Sequence, residues 1–174
     1  MSMPHASALP IASVTLRILI VLNWLLVGVA VVVLLAFMPT ERWIMSALKL
    51  SPSAEADRLI MGLRTIAIVG LVTVPLNHAI LTRLVAMVET VRAGDPFIAA
   101  NADRLQTIAR ALLALQLLSL VIGAIAKSVS TPTHPLHLNA GFSVSGWLAV
   151  LLTFILARVF SEGASMRDDL EGTV

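Results

Sequence analysis

The sequence predicts an all-α, polytopic membrane protein with four transmembrane helices in a bundle, on three observations. Hydrophobic residues make up 58% of the 174 positions and charged residues only 13%, with a mean hydropathy of +0.94, a balance unlike that of a soluble domain. The apolar residues gather into four stretches, each near the roughly 20 residues needed to cross about 30 Å of hydrocarbon. All 10 acidic residues fall outside those stretches. Residues 1–174 form one integral-membrane domain, with no room for a separate soluble catalytic domain, so function sits in the bilayer or on the connections.

The first span covers residues 18–38, with Asn23 as its only strongly polar side chain. Its apolar core exceeds the ~7–15 residues of a secretory signal and no A-x-A site follows, so it reads as an uncleaved anchor. After Pro39, Thr40 offers an N-cap and Trp43, Ile44, Ala47 and Leu48 share one face, which predicts an outer interfacial helix. The second span covers 65–83 and is apolar until Asn77 and His78. Beyond Arg83, Leu84, Val85, Val88 and Val91 keep helical spacing, so this helix runs on past the membrane until Gly94 and Asp95-Pro96 end it.

Helix three starts near Ile98 and carries Asn101, Asp103, Arg104 and Leu105 before its span, 107–126, which contains Arg110 and Gln116. Residues 84–106 therefore form a helical hairpin outside the bilayer. Lys127 to Asn139 is rich in Ser, Thr, Pro and His and reads as a loop. The fourth span covers 140–160, includes Arg158, and continues as a helix through Glu162 to about Asp169, within a tail of 161–174. With four spans both termini share a side. That side holds Arg17, Arg83, Arg92, Arg104, Arg110, Arg158 and Arg167, against Arg42, Lys49, Arg58, Arg64 and Lys127 opposite, which places the hairpin and both termini in the cytoplasm.

In span four, Gly141, Ser145, Ala149, Thr153 and Ala157 recur every fourth residue, with Ser161 and Ser165 beyond. Small residues let helices approach closely in lipid. Two readings stand: packing within the monomer, or a homo-oligomer contact through Gly141, Ser145, Ala149 and Thr153.

Polar residues inside spans are the first place to seek function, because each costs free energy there. Asn23, Asn77, His78, Arg110 and Arg158 all fall in the cytoplasmic half of the bilayer in this orientation, which predicts an intramembrane polar cluster. It serves either as a coupling device or ligand pocket, or as hydrogen-bonding glue with the arginines snorkelling to the interface.

Most chemistry is excluded. Without cysteine there is no disulfide, thiolate nucleophile, iron–sulfur cluster or cysteine zinc site. A net charge of +2 with no basic run gives nothing to grip nucleic acid. His78 has no partner histidine at matching depth to form a bis-histidine haem site. His134 and His137 are separated by Pro135 and lack nearby carboxylates, so no metal site is expected. No spanning carboxylate favours a proton-coupled exporter. No phosphate-binding loop, G-x-S-x-G or H-E-x-x-H occurs, so catalytic residues and cofactors are expected to be absent.

The remaining residues lie at the cytoplasmic end: Gly94-Asp95-Pro96-Phe97, Asn101, the pair Arg104-Leu105, and the tail Phe160-Ser161-Glu162-Gly163 through Met166-Arg167-Asp168-Asp169 to Thr173-Val174. Together they resemble the bacterial domain-of-unknown-function family numbered twenty-nine seventy-five, small four-span proteins with a G-x-P-F…N-x-x-R-L hairpin and a final helix of F-x-x-G-x-x-L-x-x-[DE] type ending in L-T-V. The chain departs at Met166, where the family tends to have Leu, and at Gly172 before Thr-Val. The resemblance implies a bacterial inner-membrane protein, often encoded beside a Cro/Xre-type helix-turn-helix regulator, and implies no established activity.

In physical terms, Gly94 and Pro96 fix a tight turn, Phe97 packs back on the helix ends, Asn101 caps or bonds across the hairpin, and Arg104 lies within reach of Glu162 or Asp168. These residues either stabilise the helix ends or present a surface to a partner. The function expected is non-enzymatic: binding or sequestering a cytoplasmic protein such as a helix-turn-helix regulator. Its candidate contacts are Gly94, Asp95, Pro96, Phe97, Asn101, Arg104, Glu162, Arg167, Asp168, Asp169 and Glu171, the acidic tail suiting a basic DNA-binding face. The alternative is a small transporter or channel that uses the polar cluster.

Overall fold

A computed structural model describes residues 8–37, 53–131, 135–136 and 138–171. Regular structure among them is entirely helical: α1 Ala8–Phe37, α2 Ala54–Leu71, α3 Thr73–Arg92, α4 Ala99–Val129 and α5 Val144–Glu171. Leu9–Val32, Ala54–Arg92, Ala99–Val129 and Val144–Arg167 are each long and apolar enough to cross a membrane. The four-span, all-α expectation is met, and the chain is built as a multi-pass membrane protein. The expected interfacial helix around Thr40 and Trp43 lies outside the described residues, as do His134, His137 and residues 172–174.

Helix bounds depart from the expected spans for local reasons. α1 begins ten residues before Ile18, with Pro10 in its first turn, where a missing N–H costs nothing. α2 begins at Ala54 rather than Thr65. Ser53 is extended and its hydroxyl accepts from the Ala56 N–H at 3.2 Å, while Glu55 and Asp57 complement the positive helix end. The second span is broken at Val72, whose N–H turns back to the Val69 carbonyl at 3.1 Å, and the Thr73 hydroxyl donates to Gly70 O at 2.6 Å. Pro75 has no N–H to continue the ladder, which accounts for the break. α4 starts one residue after Ile98 and runs on to Val129, and α5 starts at Val144, leaving Gly141 before the helix with φ +132°.

Two compact units are present. The first comprises Met1–Asn23, Pro75–Ala114 and Ser143–Val174. Its core takes Asn101, Ala102, Leu105, Ile108, Ala109 and Ala111 from α4 and Val150, Ala157 and Ala164 from α5. The three α5 residues are seven apart, so the packed face follows a heptad, the repeat of nearly antiparallel or parallel helix pairs. Of the four-residue stripe this face includes Ala157 alone: Ser145 and Ala149 are exposed and Gly141 precedes the helix, so most of the stripe does not pack within the unit. Steps of four drift about 40° each around a 3.6-residue helix, so the stripe leaves any one neighbour within a few turns.

The second unit comprises Trp24–Val74 and Leu115–Phe142. Ala56, Leu59, Ile60 and Gly62 of α2 are buried in it, and a Cβ at Gly62 would lie 2.6 Å from a methyl of Val129. Gly123 of α4 meets backbone: a Cβ there would stand 2.8 Å from Ala140 O and 2.9 Å from Gly141 Cα. The Ser119 hydroxyl fixes the same loop, accepting from Gly141 N–H at 3.0 Å and lying 3.2 Å from Gly141 O as donor.

Candidate interaction platform at the hairpin end

The hairpin is assembled from its turn outwards. Gly94 adopts φ +84°, a region open to glycine at no cost. Its N–H donates to Val91 O at 3.1 Å and the Asp95 N–H to Thr90 O at 3.0 Å, the paired bonds of a Schellman cap that satisfy the last carbonyls of α3. Pro96 then bars further helix, and the Asn101 N–H closes on Ile98 O at 2.9 Å as α4 begins.

Asn101 is the polar centre of the hairpin. It is fully buried, and its amide nitrogen donates to Thr90 Oγ1 and to Pro96 O, both at 2.8 Å. Its amide oxygen accepts from an Arg104 guanidinium nitrogen at 2.7 Å, and that nitrogen also lies 3.4 Å from Ala86 O. One side chain thus ties the end of α3, the turn and the first turns of α4. The expectation that Asn101 bonds across the hairpin is met, but burial removes it from any partner surface. Arg104 is likewise turned to Asn101 and Ala86. Of its two expected partners, Glu162 pairs with Arg158, one helical turn back along α5, and the Asp168 side chain lies outside the described residues.

The turn docks on α5. The Phe97 and Phe160 rings lie 5.1 Å apart at 34°, and Phe97 also rests on Gly163, where a Cβ would come within 3.2 Å of its Cδ1. Arg167 of α5 pairs with Asp95. Residues 160, 163 and 167 share one helical face, so the turn residues and the tail residues that the sequence had singled out in separate motifs meet each other. A second set of ions joins α1 to α3: Glu89 takes Arg17 at 3.5 Å and Arg92 at 3.1 Å. Nothing in hydropathy marks Arg17 as part of this assembly; its place immediately before the apolar run is the available signal.

The outward residues at this end include Gly94, part of the Phe97 ring, Glu162, Met166 and Asp169. Arg167 is exposed in part beyond its pairing with Asp95. The Asp168 and Glu171 side chains lie outside the described residues. Of the expected polar cluster, Asn77 and His78 are half-buried, whereas Arg110 and Arg158 are exposed and so do not close a buried site. The Asn23 amide nitrogen is buried with no hydrogen-bond partner. Among the described residues no three imidazole or carboxylate groups converge to hold a metal ion. In the second unit, an open depression of about 360 Å³ is lined by Ala54, Glu55, Arg58, Ser128, Val129 and Thr131. Searches against family models, curated proteins and solved structures find no match to this chain.

Proposed function

We propose that this is a non-enzymatic bacterial inner-membrane protein that uses its hairpin end, facing the cytoplasm, to bind a cytoplasmic protein, a helix-turn-helix regulator being the partner class that the motif resemblance suggests. The observation that carries the reading is the docking of the hairpin turn on α5 through Phe97, Phe160, Gly163 and the Asp95–Arg167 pair. A hairpin with a hydrogen-bonded polar centre, fastened to a third helix, is a preorganised surface. Binding to it costs little ordering entropy. The acidic end of α5 favours a basic partner, since complementary charge speeds encounter and selects the face that is held.

The test is co-purification of the detergent-solubilised full chain with the regulator encoded beside it, at low salt. Retention of the regulator by the native chain, and its loss on Asp168→Asn, Asp169→Asn and Glu171→Gln together, is the expected result. Failure of the native chain to retain it disposes of the proposal.

A second reading, a small transporter or channel, is favoured by the orphaned Asn23 amide, since a buried donor without a partner is a place where a ligand or water binds. Equal solute flux in liposomes with and without the protein excludes it.

A further inference from the structure

Every cation of the first unit is an arginine, and the two lysines of the chain, Lys49 and Lys127, belong to the second. Three of these arginines are occupied by the protein: Arg92 with Glu89, Arg104 with Asn101, and Arg167 with Asp95. The other four, Arg17, Arg83, Arg110 and Arg158, are exposed, one on each helix of the unit. Arg17 and Arg158 touch carboxylates but keep 68% and 78% of their side chains open. Arg83 and Arg110 have no carboxylate partner among the described residues.

The four lie at a common level. The contacts Asn101–Thr90 and Arg104–Ala86 set an antiparallel register in which Arg83 is level with the stretch just before Arg110, about 4 Å away in height at 1.5 Å per residue. Arg17 reaches Glu89, six residues below Arg83, or about 9 Å. Arg158 precedes Gly163, the seat of the turn, by five residues, or about 8 Å. From Arg110 to the level of Glu89 the group occupies a slab about 13 Å thick, a headgroup layer together with the reach of the arginine stems. Exposed apolar side chains continue from it into the spans, Ile18 and Val21 after Arg17, Leu117 and Val121 beyond Arg110 and Ile155 before Arg158, and Val14 and Val159 lie on its other side. The guanidinium groups thus stand among exposed apolar side chains at one level of the lipid-facing surface.

We propose that Arg17, Arg83, Arg110 and Arg158 form a binding belt for anionic phospholipid headgroups, with Arg83 and Arg110 as its principal phosphate sites. The planar guanidinium fork engages two phosphate oxygens at once and is more weakly hydrated than an ammonium, which suits it to the interface. The stems lie along apolar surface while the heads reach the headgroups. The belt is independent of which partner, if any, the hairpin holds.

The experiment reconstitutes the full chain in mixed vesicles of brominated phosphatidylglycerol and phosphatidylcholine and reads tryptophan quenching as a relative lipid-binding constant. At low salt the native protein should prefer phosphatidylglycerol about fivefold or more. Arg83→Gln with Arg110→Gln should cut that preference severalfold, and Arg83→Lys with Arg110→Lys should retain most of it, with the same helical circular dichroism. Inorganic phosphate should compete no better than chloride at equal ionic strength. Equal binding of both lipids by the native chain, an undiminished preference in the glutamine pair, or selective displacement by inorganic phosphate would each overturn the proposal.

Discussion

The Phe97 ring lies on the bare backbone of Gly163, close enough that a Cβ there would come within 3.2 Å of the ring edge. This contact joins the hairpin turn to α5, and Phe160, one turn before Gly163, completes the seat with its ring 5.1 Å from that of Phe97. A small residue is needed at 163 because the turn approaches the helix there.

Gly163→Ala should be nearly neutral: Phe97 is 45% exposed and its ring can retreat by a few tenths of an ångström, while alanine gains about 1 kcal/mol in helix propensity. Gly163→Leu has no such latitude and should expel Phe97 from Phe160. A double-mutant cycle on Phe97→Ala and Phe160→Ala, read by thermal unfolding in micelles, should give a coupling of about 0.5–1.5 kcal/mol that vanishes in the Gly163→Leu background.

Asn101→Ala should be the most damaging single change in the hairpin. It strips Pro96 O and the Thr90 hydroxyl oxygen of a donor and the half-buried Arg104 guanidinium of its acceptor. Each buried group left unsatisfied costs about 1–3 kcal/mol. Asn101→Asp keeps the acceptor for Arg104 but sets a carboxylate oxygen against Pro96 O, so it should recover only part of the loss. Unfolding temperatures of the three proteins in one detergent decide the order.

These two sites show what was legible in the sequence. The hairpin turn was, because it is local: Gly94 and Pro96 act through their own backbones, and Asn101 sits one turn into the next helix. The docking of that turn on α5 was not, since nothing in Phe97 or Gly163 taken singly says which helix lies opposite. Charge alone pairs Arg104 with Glu162 or Asp168, yet Asn101 is three residues away on its own helix and supplies an acceptor at 2.7 Å. The starts of α1 and α2 lie outside what the span bounds express, because hydropathy locates spans, not caps; Ser53 followed by Glu55 and Asp57 is the signal for α2. Within the unit the stripe on α5 contributes only Ala157 to the packed face, for a geometric reason: helices that stay together pack on sevens, and Val150, Ala157 and Ala164 carry that period.

The Asp95–Arg167 pair should matter far less than Asn101. Both side chains are more than 40% exposed, so solvent screens them and the expected contribution is about 0–1 kcal/mol. Asp95→Ala should shift the unfolding midpoint only slightly, and the shift should shrink further as salt is raised. A loss as large as that of Asn101→Ala would mean that the pair, and not the buried amide, holds the turn.

Gly123→Ala should destabilise the second unit although it replaces the poorer helix former with the better one. The added carbon would stand 2.8 Å from Ala140 O and 2.9 Å from Gly141 Cα, and both are backbone, which cannot rotate away as a side chain does. Movement of the loop would also pull Gly141 from the Ser119 hydroxyl. Overpacking of this kind costs about 1–3 kcal/mol, more than the propensity gain of about 1 kcal/mol. Gly70→Ala supplies the control, because a Cβ at Gly70 meets nothing within 4 Å. Thermal unfolding in micelles should rank Gly70→Ala at or above the native chain and Gly123→Ala below it. Ser119→Ala should reproduce part of the Gly123→Ala loss, because it releases the same loop without crowding it.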